Sequence, residues 1–191
     1  IKEVGGKPLL SYTAGIAKEF AAKHGADLIV SSDSEAILEV AAGCGLNTDY
    51  KRPAYLADDI CGKPDAIRDA MLWGEARRGK QYDMVVDLDV TSPIRTMEDI
   101  DKCLEMIEQC PEALTIFSVN PCGRNPYFSM VQQKPNGFYN TVCEGKFTSR
   151  QTSPKVYDMN GSIYVYRREA LLPEHPRAVT DRSIVYVMPH I

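Results

Sequence analysis

The sequence predicts an α/β fold, a mostly parallel sheet flanked by helices. Three observations carry this. Strand-like and helix-like segments alternate along most of the 191 residues. The balance of 44% hydrophobic and 25% charged residues is that of a globular chain long enough to bury a core. Acidic residues collect where strands should end, and in open α/β sheets ligands bind at the carboxyl ends of strands. Asp33, Asp87 and Asp89 would all emerge at that edge.

From Leu9 to Lys23, the apolar positions Leu10, Ala14, Ala17 and Ala21 recur every three or four residues, and Gly25 suits the cap that ends the helix. Leu28-Ile29-Val30 reads as a short buried strand. It runs into a helix that Asp33 or Ser34 can cap, with Ile37, Leu38 and Ala41 as its buried stripe. Residues 46–63 are loop-like. "KPDAIRDAMLWGEARRG" then predicts a helix ending at Gly79, and residues 82–90 a strand. Thr96 and Asp99 suit a capping box, with Ile100, Cys103, Leu104 and Ile107 at helical spacing after them. "ALTIFSV", residues 113–119, is the next strand. Over 120–160 the alternation gives way to short pieces between N-P and P-N-G turns, which predicts hairpins. That stretch reads as an arm inserted in a single domain spanning 1–191, and exposed strand edges of this kind often pair with a second copy. "NGSIYVYRREALL" returns to strand and short helix, and "SIVYVMPHI" to a last strand.

The net charge of −4 argues against nucleic acid as a partner, because phosphate backbones need a basic face. No run of 18 apolar residues is present, so no membrane-spanning helix is expected. The six cysteines are scattered without a C-x-x-C pair, and the three histidines complete no zinc spacing. Reduced thiols in a cytoplasmic protein are the expectation.

"DLDVTSPIRT", residues 87–96, holds the chemistry. Side chains alternate along a strand, so Asp87 and Asp89 point the same way. Two carboxylates on one face repel unless a cation, a donor or water lies between them. The residues alone leave two readings open: a solvated strand end, or acids that hold a metal.

"TSPIRTMEDI" and "RQTSPKVYDMNGSIYVY" resemble the acylneuraminate cytidylyltransferase family, which makes CMP-sialic acid and CMP derivatives of related nine-carbon acids. "IVSSDSEAI", "KRPAYLADD" and "GGKPLLSYT" resemble further segments of that family, in the same order along nearly the whole chain. The resemblance implies a fold of the nucleotide-diphospho-sugar transferase type and a dimer that uses the arm. It implies a reaction in which the anomeric hydroxyl of a sugar acid attacks the α-phosphate of CTP, assisted by Mg²⁺ or Mn²⁺. It places Arg52, Lys63 and Asp33 at the nucleotide, although Lys63 equally suits an exposed place at a helix start. It places Arg150 and Gln151 (the R-Q pair), Asn160 and Tyr164 at the sugar, where a guanidinium suits a planar carboxylate. Tyr164 also suits an ordinary core aromatic. Arg150 and Asp89 are the catalytic candidates, Asp87 and Asp89 the metal candidates. Arg95 and Arg124 also suit tying loops down.

Two departures from the family pattern matter. The family usually reads L-Q-P-T-S-P where this sequence reads Leu88-Asp89-Val90-Thr91-Ser92-Pro93. A carboxylate only accepts where an amide also donates. Asp89 therefore implies either a sugar with different donor groups, such as a legionaminic-type acid, or a part in binding Mg²⁺. The family's glycine-rich nucleotide loop would precede Ile1 and its own D-x-D metal motif would follow Ile191, so both are expected outside the chain as given. The rival readings are a D-x-D glycosyltransferase of similar fold, a nucleotide-binding homologue without activity, and a cytidylyltransferase for an eight-carbon keto acid.

Overall fold

The computed structural model describes residues 1–189 apart from 59, 148 and 150. The chain divides into two compact units, Ile1–Ser118 with Gly161–Tyr186, and Val119–Asn160 with Val187–Ile191.

In chain order, β1 (Glu3–Val4) and β2 (Lys7–Pro8) form a minimal hairpin, followed by α1 (Leu9–His24), α2 (Glu35–Gly43), a 3-10 turn (Ala54–Leu56) and α3 (Lys63–Arg78). Then come β3 (Met84–Leu88), α4 (Met97–Gln109), β4 (Thr115–Pro121), β5 (Val131–Gln133) and β6 (Tyr139–Thr141). β7 (Tyr157–Arg167), α5 (Arg168–Leu171) and β8 (Ser183–Val187) complete the chain. The main sheet has the order β3-β7-β4-β8.

The helix boundaries follow local chemistry. Gly25 and Gly79 both close their helices in the left-handed conformation, as the sequence predicts. α4 begins with the predicted capping box: the Asp99 amide donates to Thr96 Oγ1 at 3.2 Å and the Thr96 amide to Asp99 Oδ2 at 2.7 Å. Ser34 occupies the cap position of α2 without a side-chain capping bond.

Within the α/β class, two features differ from the sequence expectation. β7 runs antiparallel to β3, pairing Met84 with Arg167 through to Leu88 with Ile163. Leu28-Ile29-Val30 is not a strand. Leu28 and Val30 pack with Leu10 against Ala14, Ala41 and Leu46, and no described strand lies alongside to complete a ladder. An apolar run fixes burial, but a strand needs a hydrogen-bonded neighbour.

The period-2 alternation of β3 and β7 sorts their side chains between two helical layers. Met84, Val86 and Leu88 of β3, with Ile163 and Val165 of β7, face Phe20 of α1 and Ile100, Cys103 and Ile107 of α4. Val85, Tyr164 and Tyr166 face the other way, onto Ile67 and Met71 of α3 and Leu171 of α5. The odd-numbered residues of β3 therefore point to the α3 side. Asp87 is one of them.

A half-buried ion pair ties α3 to the first residue of α5. Arg168 donates from Nε and Nη2 to the two carboxylate oxygens of Glu75 at 2.7 and 2.9 Å, and the Tyr82 amide donates to the same carboxylate at 3.0 Å. Arg168 holds the Glu75 carboxyl below its ordinary range, against a smaller opposing effect of burial. A depressed carboxyl stabilises the fold above its unfolded value of about 4.3 and loses that contribution as pH falls through the folded value. Glu75→Gln should therefore lower the thermal midpoint at neutral pH. The gap from the unchanged protein should close as pH is taken below about 4, and a gap that stays constant across that range would count against this role.

The second unit has its own framework. β5 pairs antiparallel with β6, Val131 opposite Thr141 and Gln133 opposite Tyr139. The P-N-G turn closes the hairpin, with the Gly137 amide donating to Lys134 O at 2.9 Å. Asn125 is the buried hub: its Nδ2 donates to Pro154 O at 2.8 Å and its Oδ1 accepts from the Tyr127 amide at 2.9 Å. Phe138, Tyr139 and Val131 remain exposed.

Candidate functional site

At the carboxyl end of β3, the structure brings four of the predicted residues together. Asp87 lies in β3 directly opposite Tyr164 of β7. Asp89 follows one residue past the strand, and its amide donates to Ser162 O at 3.3 Å. Lys63, the first residue of α3, reaches across to both acids: Nζ lies 2.6 Å from Asp87 Oδ2 and 3.0 Å from Asp89 Oδ2. The same ammonium stands 4.8 Å above the centre of the Tyr164 ring, a cation–π contact. A cation does separate the two carboxylates, and it belongs to the protein.

The electrostatics follow from burial and pairing. Burial pushes the Asp87 carboxyl up, further than the charge of Lys63 and its hydrogen bond pull it down. Burial also raises Asp89, but two hydrogen bonds from Thr91 and one from Lys63 outweigh it and leave Asp89 below its ordinary range. Burial works to lower Lys63, yet Asp87 and Asp89 together hold the ammonium above its ordinary value. Lys63 does stand exposed at a helix start, but it is paired there with both acids.

Thr91 was not a sequence candidate. Its amide and Oγ1 donate to Asp89 Oδ1 at 2.8 and 2.7 Å, fixing the carboxylate as a turn of the aspartate–threonine kind. The D-x-T spacing is the signal that would have found it.

The T-S-P-I-R turn is locked from beneath by Arg95, which is 7% exposed. Its guanidinium donates to Ser162 O and Ser92 O, both at 2.8 Å, to Thr13 Oγ1 at 3.3 Å, and also to Asp89 O. Ser162 Oγ donates to Ser92 O at 3.1 Å, joining the turn to β7. Gly161 precedes Ser162 with φ +68°, a conformation that disfavours any side chain, which accounts for the glycine of N-G-S-I-Y. Arg95 therefore serves structure. Arg124, its counterpart in the sequence reading, is exposed.

Arg52 forms a separate feature. Its Nε and Nη2 donate to Ser31 Oγ and Ser31 O at 3.0 and 2.5 Å, and its amide to Ser32 O at 3.0 Å. The guanidinium is thus pinned to the loop that carries the exposed Asp33. In the second unit, Asn160 Nδ2 donates to Asn120 Oδ1 at 3.2 Å and lies 3.1 Å from Met188 Sδ, while Gln151 is exposed in a turn. Arg150 lies outside the described residues.

The expected metal between Asp87 and Asp89 meets a lysine instead. Mg²⁺ binds carboxylate oxygen at about 2.0–2.1 Å, inside the space the Lys63 ammonium fills, and the two cations would repel. In this arrangement the pair does not fit a resident divalent ion. Among the described residues no group of three or more histidine, cysteine or acidic side chains is placed to hold one.

A helix-flanked mixed sheet with a charged cluster at a strand's carboxyl end has its polar groups where open α/β sheets bind ligands. A solved structure of CMP:2-keto-3-deoxy-manno-octonic acid synthetase complexed with CTP superposes with a TM-score of 0.63 at 13% identity, covering 100% of this chain and 84% of that one. Sequence relatives narrow the class. The chain is 36% identical over 172 residues to post-translational flagellin modification protein B of Campylobacter coli, covering 90% of this chain and 72% of that protein. It is 35% identical over 145 residues to the CMP-N,N'-diacetyllegionaminic acid synthase of Campylobacter jejuni, covering 76% and 61%. It is 26% identical to an N-acylneuraminate cytidylyltransferase of Streptococcus agalactiae, covering 97% of this chain and 43% of that protein. No family model matches the sequence. The chain belongs to the acylneuraminate cytidylyltransferase family. It spans less than two thirds of the length of the second and third of these relatives.

Proposed function

We propose that this protein is a cytidylyltransferase that activates a nine-carbon 2-keto sugar acid with CTP, releasing the CMP-sugar and pyrophosphate. The observation that carries this reading is the 35% identity to a CMP-N,N'-diacetyllegionaminic acid synthase. Asp89, where sialic acid enzymes resemble one another in a glutamine, directs the preference toward a legionaminic-type acid, whose amino substituents offer donors to an acceptor-only side chain.

In the proposed reaction the anomeric hydroxyl oxygen bonds to the α-phosphorus of CTP. The bond from that phosphorus to the bridging oxygen of the β-phosphate breaks, pyrophosphate leaves, and the hydroxyl proton passes to water. Arg52 and Asp33 serve the nucleotide, and Arg150, Gln151, Asn160 and Tyr164 serve the sugar. Arg150 suits the sugar carboxylate by its bidentate geometry. Lys63 brings positive charge to the end of β3, where anionic groups must be held. A divalent cation, Mg²⁺ or Mn²⁺, supplies charge neutralisation at the triphosphate. CTP supply favours the cytoplasm, a compartment in which the six unpaired cysteines would stay reduced. Among the described residues no helix is long and apolar enough to cross a membrane.

We read the exposed Phe138, Tyr139 and Val131 of the hairpin as the face covered by a second copy of the chain. Sedimentation showing only monomer at high concentration would refute that.

Pyrophosphate release with CTP and a divalent cation tests the reaction, using a panel of nine-carbon and eight-carbon keto acids with UTP as control. Release with CTP and a nine-carbon acid alone is the expected result; turnover of the eight-carbon acid instead would overturn it. In the same assay Asp89→Gln should shift preference toward N-acetylneuraminic acid by roughly tenfold or more, the weight of one mismatched polar contact. An unchanged preference would remove Asp89 from sugar selection. The glycosyltransferase reading requires the D-x-D acids on a metal, a place Lys63 fills.

A further inference from the structure

We propose that Lys63 is the resident cation of the Asp87–Asp89 pair, and that the resting protein thereby keeps divalent ions out of a D-x-D that would otherwise bind them. The geometry supplies the reasons. The ammonium donates a hydrogen bond to Asp89 Oδ2 at 3.0 Å and forms an ion pair with Asp87 Oδ2 at 2.6 Å. On another side it meets the Tyr164 ring, 4.8 Å to the centroid. Asp89 cannot turn to offer both oxygens to a metal, because Thr91 holds Oδ1 with two hydrogen bonds. Asp87 stands at a fixed register opposite Tyr164 in the sheet.

The backbone that carries the lysine is fixed by packing. It opens α3 with Pro64 next in the chain, and that helix packs through Ile67 and Met71 against Tyr166 and Leu171. The net charge of the triad is −1. Removing the ammonium leaves two carboxylates on one strand face, the arrangement that attracts a divalent cation. The acids thus position the lysine for the site's anionic substrates, and the divalent ion of the reaction does not wait in this pair.

The test is Mn²⁺ binding to the nucleotide-free protein, followed by electron paramagnetic resonance and calorimetry. With Lys63 in place, Asp89→Asn should leave Mn²⁺ binding as it is in the unchanged chain. Lys63→Met should gain an ion site at least about tenfold tighter than any binding in the unchanged chain, given the loss of a full positive charge close to both acids. Lys63→Met with Asp89→Asn should lose that site again. Mn²⁺ binding by the unchanged protein that Asp89→Asn abolishes would overturn the proposal, as would a folded Lys63→Met that gains nothing. Should Lys63→Met fail to fold, the comparison of the unchanged chain with Asp89→Asn decides alone. The readout needs neither CTP nor sugar, so its failure is separate from any failure of the cytidylyl-transfer reading.

Discussion

Arg95→Ala should destabilise the protein by roughly 3–5 kcal/mol, because it strips a buried, charged donor from several acceptors at once. The carbonyls of Asp89, Ser92 and Ser162 all accept from this guanidinium, as does Thr13 Oγ1. Removing one partner of a buried polar network leaves the other groups without water or a substitute. Arg95→Lys should recover only a minor part, since an ammonium lacks the planar fork that reaches carbonyls on two strands' ends. Urea denaturation gives the measurement, with Arg124→Ala as an exposed control expected to stay within about 0.5 kcal/mol of the unchanged protein. Arg95→Ala as stable as that control would show the turn is held by something else. Since the turn also carries Asp89 and Thr91, catalytic loss should exceed what the unfolded fraction explains.

Ile163→Ala is the second large effect, at about 2–5 kcal/mol and toward the upper end. Ile163 is fully buried beside Ile100, Cys103 and Ile116 in the larger core cluster. The site has little freedom to collapse, because the Ile163 amide donates to Ser118 Oγ at 2.9 Å and the residue pairs with Leu88 across β3 and β7. A cavity here lies directly behind the strand end that carries Asp89. Ile163→Val should cost about 0.5–1.5 kcal/mol, which separates the cavity from loss of β-propensity. Equal losses from the two variants would place the effect in the backbone instead.

How much of this was readable beforehand depended on range. The capping box of Thr96 and Asp99 spans three residues and was plain from spacing, as were the glycines that end α1 and α3. The hairpin turn at P-N-G was equally local. By contrast, the antiparallel insertion of β7 beside β3 joins residues about eighty positions apart, and nothing in the alternation of either strand encodes its neighbour. Leu28-Ile29-Val30 misled for the same reason: its burial was legible but its lack of a ladder partner was not. At the site, the shared face of Asp87 and Asp89 followed from strand geometry. The identity of the cation between them did not, because Lys63 sits on a different element and meets them only through packing of α3 on β7. Thr91 lies within local reach of Asp89 through the D-x-T spacing, and Arg95 suits a structural tie from the sequence alone.

The most direct test of the central claim is the mass of the product formed from CTP and a legionaminic-type acid by the full-length protein. A CMP-sugar appearing in step with pyrophosphate is the predicted result. Intact CTP with the sugar acid unchanged, from protein shown to be folded, would contradict the account.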